Sequence, residues 1–452
     1  MRRAVFTMGL LLVLSVGCRR APSPAAPGLE SPDETPPART QPAAAPTSAQ
    51  PASQPRATDW PQWRGPGRLG ISAEKGLLKQ WPEGGPRLAW SIKGLGEGYS
   101  TPAITGGRIY GMSYRGEAEV VWALREEGGK EVWSTRIAAA NRRIGVPDGS
   151  RCTPTVNGSR VYALGVSGDL ACLDAGSGHV LWQKNLVSDF GGQIPDWGYS
   201  ESPLVDGDRV VVTPGRTRAT LVALNKANGT VIWQAQVPES GRDGTRAQYA
   251  SVVAGTAGGA RQYVQFLRGG VVGVRASDGA FLWQYDRPAN KTANCATPIF
   301  TDGYVFAASS YDTGGGLAQI TGSDGRFTAR EVYFTPEMKN HHGGVILLNG
   351  YLYGANDHKG LTCLDVRSGN MIWAAREAGK GSVTYADGCL YFRNESGPMI
   401  LCAASPQGYQ ELGRFQQPYR SRKNAWPHPV IANGRLYLRD QDALLCYDVK
   451  AR

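Results

Sequence analysis

The 452-residue sequence lacks the short motifs by which several classes of enzyme are recognised. It has no HExxH zinc pattern, no glycine-rich phosphate-binding loop and no serine–histidine–aspartate spacing, so hydrolase and nucleotide-binding functions gain no support. Histidine is scarce, with five residues, and no two of the eight cysteines are adjacent. With Cys18 assigned to an N-terminal leader, an odd number of cysteines remains, which implies no complete disulfide framework. The sequence alone does not decide whether Cys152 and Cys295 form a disulfide.

The N-terminus has the pattern of a lipoprotein signal peptide. Two arginines precede an apolar run, residues 5–16, that is too short to cross a bilayer. The run ends in LLVLSVGC, which resembles the lipobox of bacterial lipoproteins, with Ser15 where that motif favours leucine. We therefore predict a signal peptide over residues 1–18 with lipid attached at Cys18, and a plain secretory signal is the alternative. Arg19 stands where an aspartate retains many lipoproteins at the inner membrane, which favours the outer membrane.

Residues 19–58 are predicted to be a disordered, Pro/Ala-rich tether. The ten prolines between positions 21 and 57 stand among small and polar residues that cannot form a core. The formal net charge of the chain is +11, and a basic protein can bind nucleic acid or an anionic surface. No nucleic-acid-binding motif accompanies this charge, and a secreted chain would not meet nucleic acid, so we expect no such partner. The expected location is extracytoplasmic, in the bacterial periplasm, with the chain anchored to a membrane by its lipid.

A glycine and a tryptophan recur at a fixed spacing through the rest of the chain. Five tryptophans each have a glycine four residues earlier and an aliphatic residue nine residues earlier: Trp133, Trp182, Trp233, Trp283 and Trp373. The spacing predicts a β-hairpin in which the glycine supplies the positive φ of the turn and the tryptophan packs on a neighbouring sheet. In a degenerate copy that contains Gly325, Ala329 stands at the tryptophan position.

A second unit, made of an apolar strand, a turn and another strand, precedes the hairpins and occurs eight times. The two units together form a four-stranded antiparallel sheet of about 40–50 residues, the size of one propeller blade. The last copy ends before its fourth strand, which the strand around Trp90 can supply. The sequence therefore predicts an all-β fold, a single eight-bladed β-propeller over residues 87–452, closed by pairing of that N-terminal strand with the C-terminal blade. The Trp-rich lead-in, residues 59–86, is predicted to be a strap packed on the outside of the ring.

The repeats, typified by LACLDAGSGHVLWQ, resemble those of the pyrroloquinoline-quinone-like (PQQ-like) propeller superfamily from Trp90 to Arg452. One branch of that superfamily comprises quinoprotein alcohol and glucose dehydrogenases, with PQQ and calcium in the central funnel. Another branch is non-enzymatic and includes the lipoprotein subunit of the outer-membrane β-barrel assembly machinery, with the same signal, tether and ring. The enzymes typically carry an adjacent cysteine pair under the cofactor and longer loops, which this sequence lacks. The resemblance therefore favours the non-enzymatic branch.

Candidate site residues follow from the predicted topology. Loops that enter the innermost strands, and loops between second and third strands, should meet on one face near the central channel. The candidate ligand- or cofactor-binding residues on these loops are Arg151, Trp197, Tyr199, Arg246, Asn294 and Trp426. We predict no catalytic residue. We also predict no metal site, because the adjacent His341 and His342 point opposite ways on an extended segment.

Three functions are compatible with this sequence. The favoured one is a monomeric, membrane-anchored scaffold that binds a protein partner in the cell envelope, without a cofactor. One alternative is a PQQ- and calcium-dependent alcohol or sugar dehydrogenase with a reduced funnel. The other is a propeller that binds carbohydrate or another small ligand, with Trp197 and Trp426 as stacking platforms.

Overall fold

The computed structural model describes residues 54–144, 149–240, 244–323 and 325–451. The predicted signal peptide, Cys18 and nearly all of the predicted tether lie outside the described residues. Within the described ranges, no helix is long and apolar enough to cross a membrane.

The described chain forms eight antiparallel sheets, numbered here as blades 1 to 8 in chain order. The prediction of an all-β, eight-bladed propeller is confirmed. From the innermost to the outermost, the strands are, in blade 1, Ala103–Thr105, Arg108–Arg115, Ala118–Arg125 and Glu131–Ala139; in blade 2, Thr155–Asn157, Arg160–Leu164, Asp169–Asp174 and Val180–Asn185; in blade 3, Leu204–Asp206, Arg209–Val212, Leu221–Asn225 and Val231–Ala235; in blade 4, Val253–Ala257, Ala260–Leu267, Gly270–Arg275 and Phe281–Tyr285. They are, in blade 5, Ile299–Thr301, Tyr304–Ser309, Gly314–Ser323 and Arg326–Thr335; in blade 6, Val345–Leu348, Tyr351–Asn356, Gly360–Asp365 and Met371–Ala375; in blade 7, Gly381–Ala386, Cys389–Asn394, Met399–Ala403 and Glu411–Phe415; in blade 8, Val430–Ala432, Arg435–Asp440, Ala443–Asp448 and Leu88–Ile92. A 3₁₀ turn at Arg376–Ala378 is the sole helical element of the described ranges.

Burial follows the position of a strand within its blade. The second and third strands of blade 3, Arg209–Val212 and Leu221–Asn225, are apolar runs that are buried on both faces, because the neighbouring blades cover them. The outermost strand, Val231–Ala235, buries Trp233 and Ala235 and exposes the residues between and before them. The hydrophobic core therefore lies between the blades, all the way around the ring.

The repeated glycine and tryptophan join one blade to the next. The turn glycine lies under the tryptophan of the preceding blade: a Cβ added to Gly279 would lie 2.6 Å from the ring of Trp233. The indole N–H of Trp233 donates to the carbonyl of Ala276 in the same turn, at 3.1 Å. Trp133 and Trp182 make the equivalent bonds to the following blades. The periodic motif thus encodes packing between blades.

The two ends of the chain lie in the same blade. Leu88–Ile92 pairs antiparallel with Ala443–Asp448, with Trp90 opposite Cys446. Trp90 also lies against the turn glycine of blade 1, Gly129, 3.0 Å from the position of an added Cβ. Blade 8 therefore packs on blade 1 in the way that blades 1, 2 and 3 pack on their successors.

The seven described cysteines are free thiols. Cys152 and Cys295 are therefore not bridged. Cys172, Cys363 and Cys446 are buried on third strands, where the other repeats have small residues. These cysteines act as small core residues.

The predicted position of the lead-in on the outside of the ring is wrong, because its first part fills the central channel. This part, residues 59–74, is called the plug below. The main chain of Trp60 exchanges two hydrogen bonds of 2.7 Å with Ile104, on the innermost strand of blade 1. Ile71–Ser72 pairs in parallel with the innermost strand of blade 7. The plug is thus a hairpin that enters and leaves by the lower face, defined as the face on which the innermost strands end.

Two buried arginines hold the bend of the plug. Arg68 donates to the carbonyls of Ser202 and Val252, at 3.0 and 2.9 Å, and to that of Pro203. Arg64 donates to the carbonyl of Val345 at 2.6 Å. Burial lowers the pKa of each guanidinium to about 10, so both stay charged at neutral pH. Main-chain carbonyls at the start of the innermost strands therefore accept hydrogen bonds from these side chains, which is how a polar segment is accommodated in the channel.

Candidate functional site

A blind cavity opens on the upper face, the face on which the innermost strands begin. Its volume is about 270 Å³. Aromatic and imidazole rings dominate its lining, which consists of Trp63, Tyr99, Thr101, Arg151, Trp197, Ser200, Tyr249, Ser251, Ala293, Cys295, Tyr311, His341, His342, Trp426 and His428. The loops before the innermost strands supply most of these residues, because those loops converge on the central axis.

The plug forms the floor of the cavity. The indole N–H of Trp63 donates to the hydroxyl of Thr297 at 2.9 Å, and the Trp63 ring lies 4.5 Å from that of His428. Burial, with the charge of Arg64, lowers the pKa of His428 to about 3, so this imidazole is neutral at physiological pH. The floor is therefore a packed, neutral aromatic surface.

Rings in contact with one another form the wall. On one side, consecutive ring centroids lie 4.9 to 5.7 Å apart through Tyr99, Trp426, His342, His341 and Tyr311. On the other side, the rings of Trp197 and Tyr249 lie 5.6 Å apart, edge to face. Such a wall presents both ring faces and ring edges to a bound group.

A hydrogen-bonded chain fixes the tautomer of His341. Lys380 Nζ lies 2.6 Å from His341 Nδ1 and, as a donor without lone pairs, makes Nδ1 an acceptor. The proton of His341 is then on Nε2, which donates to the Tyr311 hydroxyl at 3.1 Å. Burial, with the nearby His342 and Lys380, lowers the pKa of His341 to about 3. Tyr311 accepts this bond, so its own hydroxyl hydrogen is available to another acceptor.

The backbone at Tyr311 is held in an unusual conformation. Tyr311 and Asp312 have φ values of 54° and 60°, in the left-handed region that favours glycine. The turn before Gly314–Ser323 nevertheless carries a large side chain, which reaches His341. Strain of this kind persists where the surrounding structure holds a residue in place.

Glu395 orients one wall of the cavity from behind. Its carboxylate accepts the indole N–H of Trp426 at 2.7 Å and the side-chain amide of Asn424 at 2.9 Å. Burial by itself raises the pKa of Glu395, whereas the neighbouring His342, Trp426 and Lys380 lower it to about 2. The carboxylate is therefore ionised and fixes the Trp426 ring.

The charge of the lining is positive. Arg151 lies with its guanidinium carbon 5.5 Å from the centre of the Tyr99 ring, and burial lowers the pKa of Arg151 from its ordinary value. Among the described lining residues there is no aspartate or glutamate. The cavity is thus suited to an aromatic group that carries a negative charge or hydrogen-bond acceptors.

The six candidate residues divide into two groups. Arg151, Trp197 and Trp426 line the cavity. Tyr199 is buried and donates to the carbonyl of Pro214 at 3.0 Å, away from the cavity. Arg246 pairs with Asp196 at 2.7 Å on the loops around the rim. Asn294 is buried and donates to the carbonyl of Leu267 at 3.0 Å, so it holds a loop in place.

Sequence reasoning missed the floor residue, Trp63, because it placed the whole lead-in outside the ring. The contacts of Trp63 lie across the channel, with Thr297 and His428, and no local pattern could indicate them. It also missed Ser200, Ser251 and Cys295, which stand close to the predicted candidates. Their positions just before innermost strands are the signal that could have found them.

The residues of the cavity do not fit PQQ with calcium. Calcium takes six to eight oxygen ligands, usually including carboxylates, and the described lining offers imidazoles, aromatic rings and a few hydroxyls. Across the described ranges, no group of three or more His, Cys, Asp or Glu side chains is arranged to hold a metal ion. The donor set is therefore wrong for that cation.

Comparison with known proteins identifies the repeats. The family model described as "Outer membrane protein assembly factor BamB" matches residues 117–375, more than half of the chain. The BamB of Yersinia pestis is 23% identical over 333 residues, which cover 70% of this chain and 77% of that protein.

Two solved structures share the fold. The BamB of Moraxella catarrhalis has a TM-score of 0.53 at 16% identity and covers 80% of this chain and 97% of its own. The quinohemoprotein alcohol dehydrogenase ADHIIG of Pseudomonas putida HK5 has a TM-score of 0.63 at 14% identity and covers 88% and 81%. At these identities the two structures bear on the fold alone. Because the family model covers more than half of the chain, the chain belongs to the PQQ-like β-propeller family of the outer membrane protein assembly factor BamB.

Proposed function

We propose that this protein is a lipid-anchored scaffold of the periplasm that binds other proteins during outer-membrane protein assembly. The observation that carries the proposal is the family match over residues 117–375, which extends from blade 1 to the last strand of blade 6. The relatives found with it are named as assembly factors. The lipobox-like sequence at Cys18 and the proline-rich tether support anchoring.

The shape of the ring supports a role in binding. The blades pack through buried strands and shared aromatic residues, so the loops of the upper face project from a rigid frame. Binding residues are commonly carried by loops on such scaffolds. The plug closes the channel, so a partner meets the upper face as a surface without a central hole.

The test is crosslinking in the native cell envelope with the tagged full chain, followed by affinity purification and mass spectrometry. We expect enrichment of outer-membrane proteins or of other components of their assembly, and we expect the chain to be in the outer-membrane fraction. A Cys18→Ser variant serves as the matched control for anchoring and is expected to leave that fraction. Reproducible absence of any envelope protein above an untagged control would overturn the scaffold.

A further inference from the structure

The cavity of the upper face is a place where a bound polypeptide can be recognised. We propose that it receives one aromatic side chain of a partner polypeptide, with a carboxylate next to that side chain placed at Arg151. This inference rests on the proposed function and adds to it the site and the chemistry of the partner. The juxtaposition that carries it is a blind aromatic cavity with a cationic residue and no carboxylate in its described lining.

The size of the cavity is compatible with a single side chain. Its volume of about 270 Å³ is near the lower limit of the about 300–1,000 Å³ of pockets for drug-sized ligands and cofactors. The anchors of protein interfaces are mostly single aromatic or arginine side chains that fill well-packed pockets. A single ring with its Cβ is therefore an occupant whose size suits the site.

The lining selects an aromatic ring from among the possible anchors. Trp63 offers a flat floor, and Trp197 and Trp426 stand in the wall. Ring pairs at centroid distances of 4.5–7 Å stabilise one another beyond their buried area. An arginine anchor is excluded by the lining itself, because Arg151 would repel it and the described lining has no carboxylate to pair with it.

The polar groups select an acidic neighbour for that ring. Arg151 carries a positive charge in a partly desolvated position, where a charge-assisted bond to a carboxylate is strong. Tyr311 adds a hydroxyl hydrogen that is not used by His341, since that imidazole donates to Tyr311. A carboxylate on the partner complements the positive charge of Arg151 and can accept the hydroxyl hydrogen of Tyr311.

The cavity is rigid before anything binds. Glu395 fixes Trp426, the Lys380–His341 bond fixes the wall next to Tyr311, and the plug supports the floor. A preformed pocket reduces the entropy lost on binding. Because the plug blocks the channel below, a polypeptide can insert a side chain but cannot thread through the ring.

The experiment uses the purified full chain and fluorescein-labelled 12-residue peptides of glycine and serine with one central Phe-Asp pair, followed by fluorescence anisotropy. We expect saturable binding of the Phe-Asp peptide and binding at least about tenfold weaker when Phe is replaced by Ala or Asp by Lys. Arg151→Met is expected to weaken binding of the Phe-Asp peptide by about tenfold and to abolish its preference for Asp over Lys.

Matched variants separate the cavity from the rest of the face. Ser200→Trp fills the cavity and should abolish binding, whereas Arg216→Met removes an exposed charge on the same face and should leave binding unchanged. Thermal unfolding checks that each variant is folded. If Ser200→Trp fails to fold, it is replaced by Tyr311→Ser, which opens the rim of the cavity. No binding at 1 mM peptide (on the order of the weakest affinities that count as binding), or binding that Ser200→Trp does not alter, would overturn the inference.

A further arm titrates free indole-3-acetate, which has the same ring and charge without a peptide. If it binds more tightly than every peptide, the cavity is a small-molecule site and the inference is wrong. If the envelope crosslinking succeeds while the peptides fail, the scaffold stands and partners bind elsewhere. If both the crosslinking and the peptide binding fail, the proposed function and the proposed site are both wrong.

Discussion

At the residue scale, two charged side chains of the plug lie almost entirely out of contact with solvent. Arg64 and Arg68 are 2% and 4% exposed, although arginine is among the residues that are rarely buried without a partner. Their partners are main-chain carbonyls of distant blades, which no local pattern reveals. For the same reason the floor of the cavity was missed, whereas Arg151, Trp197 and Trp426 could be predicted, because topology alone places their loops around the axis.

A buried acid leads to a prediction at this scale. Burial raises the pKa of Glu119 to about 7, and its carboxyl accepts the main-chain N–H of Val166 at 3.1 Å. Because the folded pKa is above the unfolded value, folding favours the protonated form, and stability is lost as pH rises from about 4.5 to 7. In Glu119→Gln, which cannot ionise, the free energy of unfolding relative to the parent should rise by about 2–3 kcal/mol between pH 5 and pH 8.

Urea unfolding at the two pH values measures this difference. Glu127→Gln, at an exposed position two residues after the third strand of blade 1, is the control and should show no such dependence. If the difference in free energy of unfolding between Glu119→Gln and the parent is the same at both pH values, the raised pKa of Glu119 is contradicted.

At the scale of the element, the hairpin motif allowed most of the fold to be predicted. The strand–turn–strand unit, which occurs eight times, predicted the number of blades. The spacing of glycine and tryptophan predicted the outer hairpins, several of which pack against the preceding blade. The motif misled in blade 5, where Ala329 was assigned the tryptophan position. The outer hairpin there is longer, with strands Gly314–Ser323 and Arg326–Thr335, so Tyr333 lies against the turn glycine of blade 6, Gly369. A fixed offset cannot allow for a lengthened strand.

The turn glycines can be tested with a matched pair. Gly279→Ala adds a Cβ that would lie 2.6 Å from the Trp233 ring at a φ of 76°, whereas Gly259→Ala, at a φ of 73°, meets nothing within 4 Å. Both substitutions incur backbone strain of about 1 kcal/mol, and only the first also separates two blades. We expect Gly279→Ala to lower the free energy of unfolding by about 2–3 kcal/mol more than Gly259→Ala, measured by chemical denaturation. If both variants lose the same free energy of unfolding, Gly279 is needed for the backbone conformation of its own turn and not for the packing of two blades.

At the scale of the whole molecule, the plug replaces the open channel that a ring of eight blades would otherwise have. It provides main-chain acceptors to innermost strands: the amides of Ile104, Val156 and Tyr385 donate to carbonyls of Trp60, Pro61 and Gly70. The ring could be predicted from repeats, but the plug could not, because it is a single copy and the contacts that place it in the channel join residues distant in sequence.

Removal of the plug should leave a ring with exposed inner edges. In a chain that begins at residue 87, and so keeps the closing strand Leu88–Ile92, the amides of Ile104, Val156 and Tyr385 should exchange hydrogen at least about tenfold faster. The amide of Cys172, on the third strand of blade 2, bonds within its own blade and is the internal control. If the shortened chain does not fold, the double variant Arg64→Met/Arg68→Met tests the same point in the full chain. Unchanged exchange at the three amides would mean that the plug is dispensable to the ring.

The pairing of Leu88–Ile92 with Ala443–Asp448 has a consequence for how this protein is made. A ribosome releases the first of these strands long before the last, so blade 8 has no complete sheet until synthesis is nearly finished. Pairings between such distant positions also fold slowly, since the chain must lose much freedom before the contact stabilises it. The ring therefore cannot close until almost the whole chain has been synthesised.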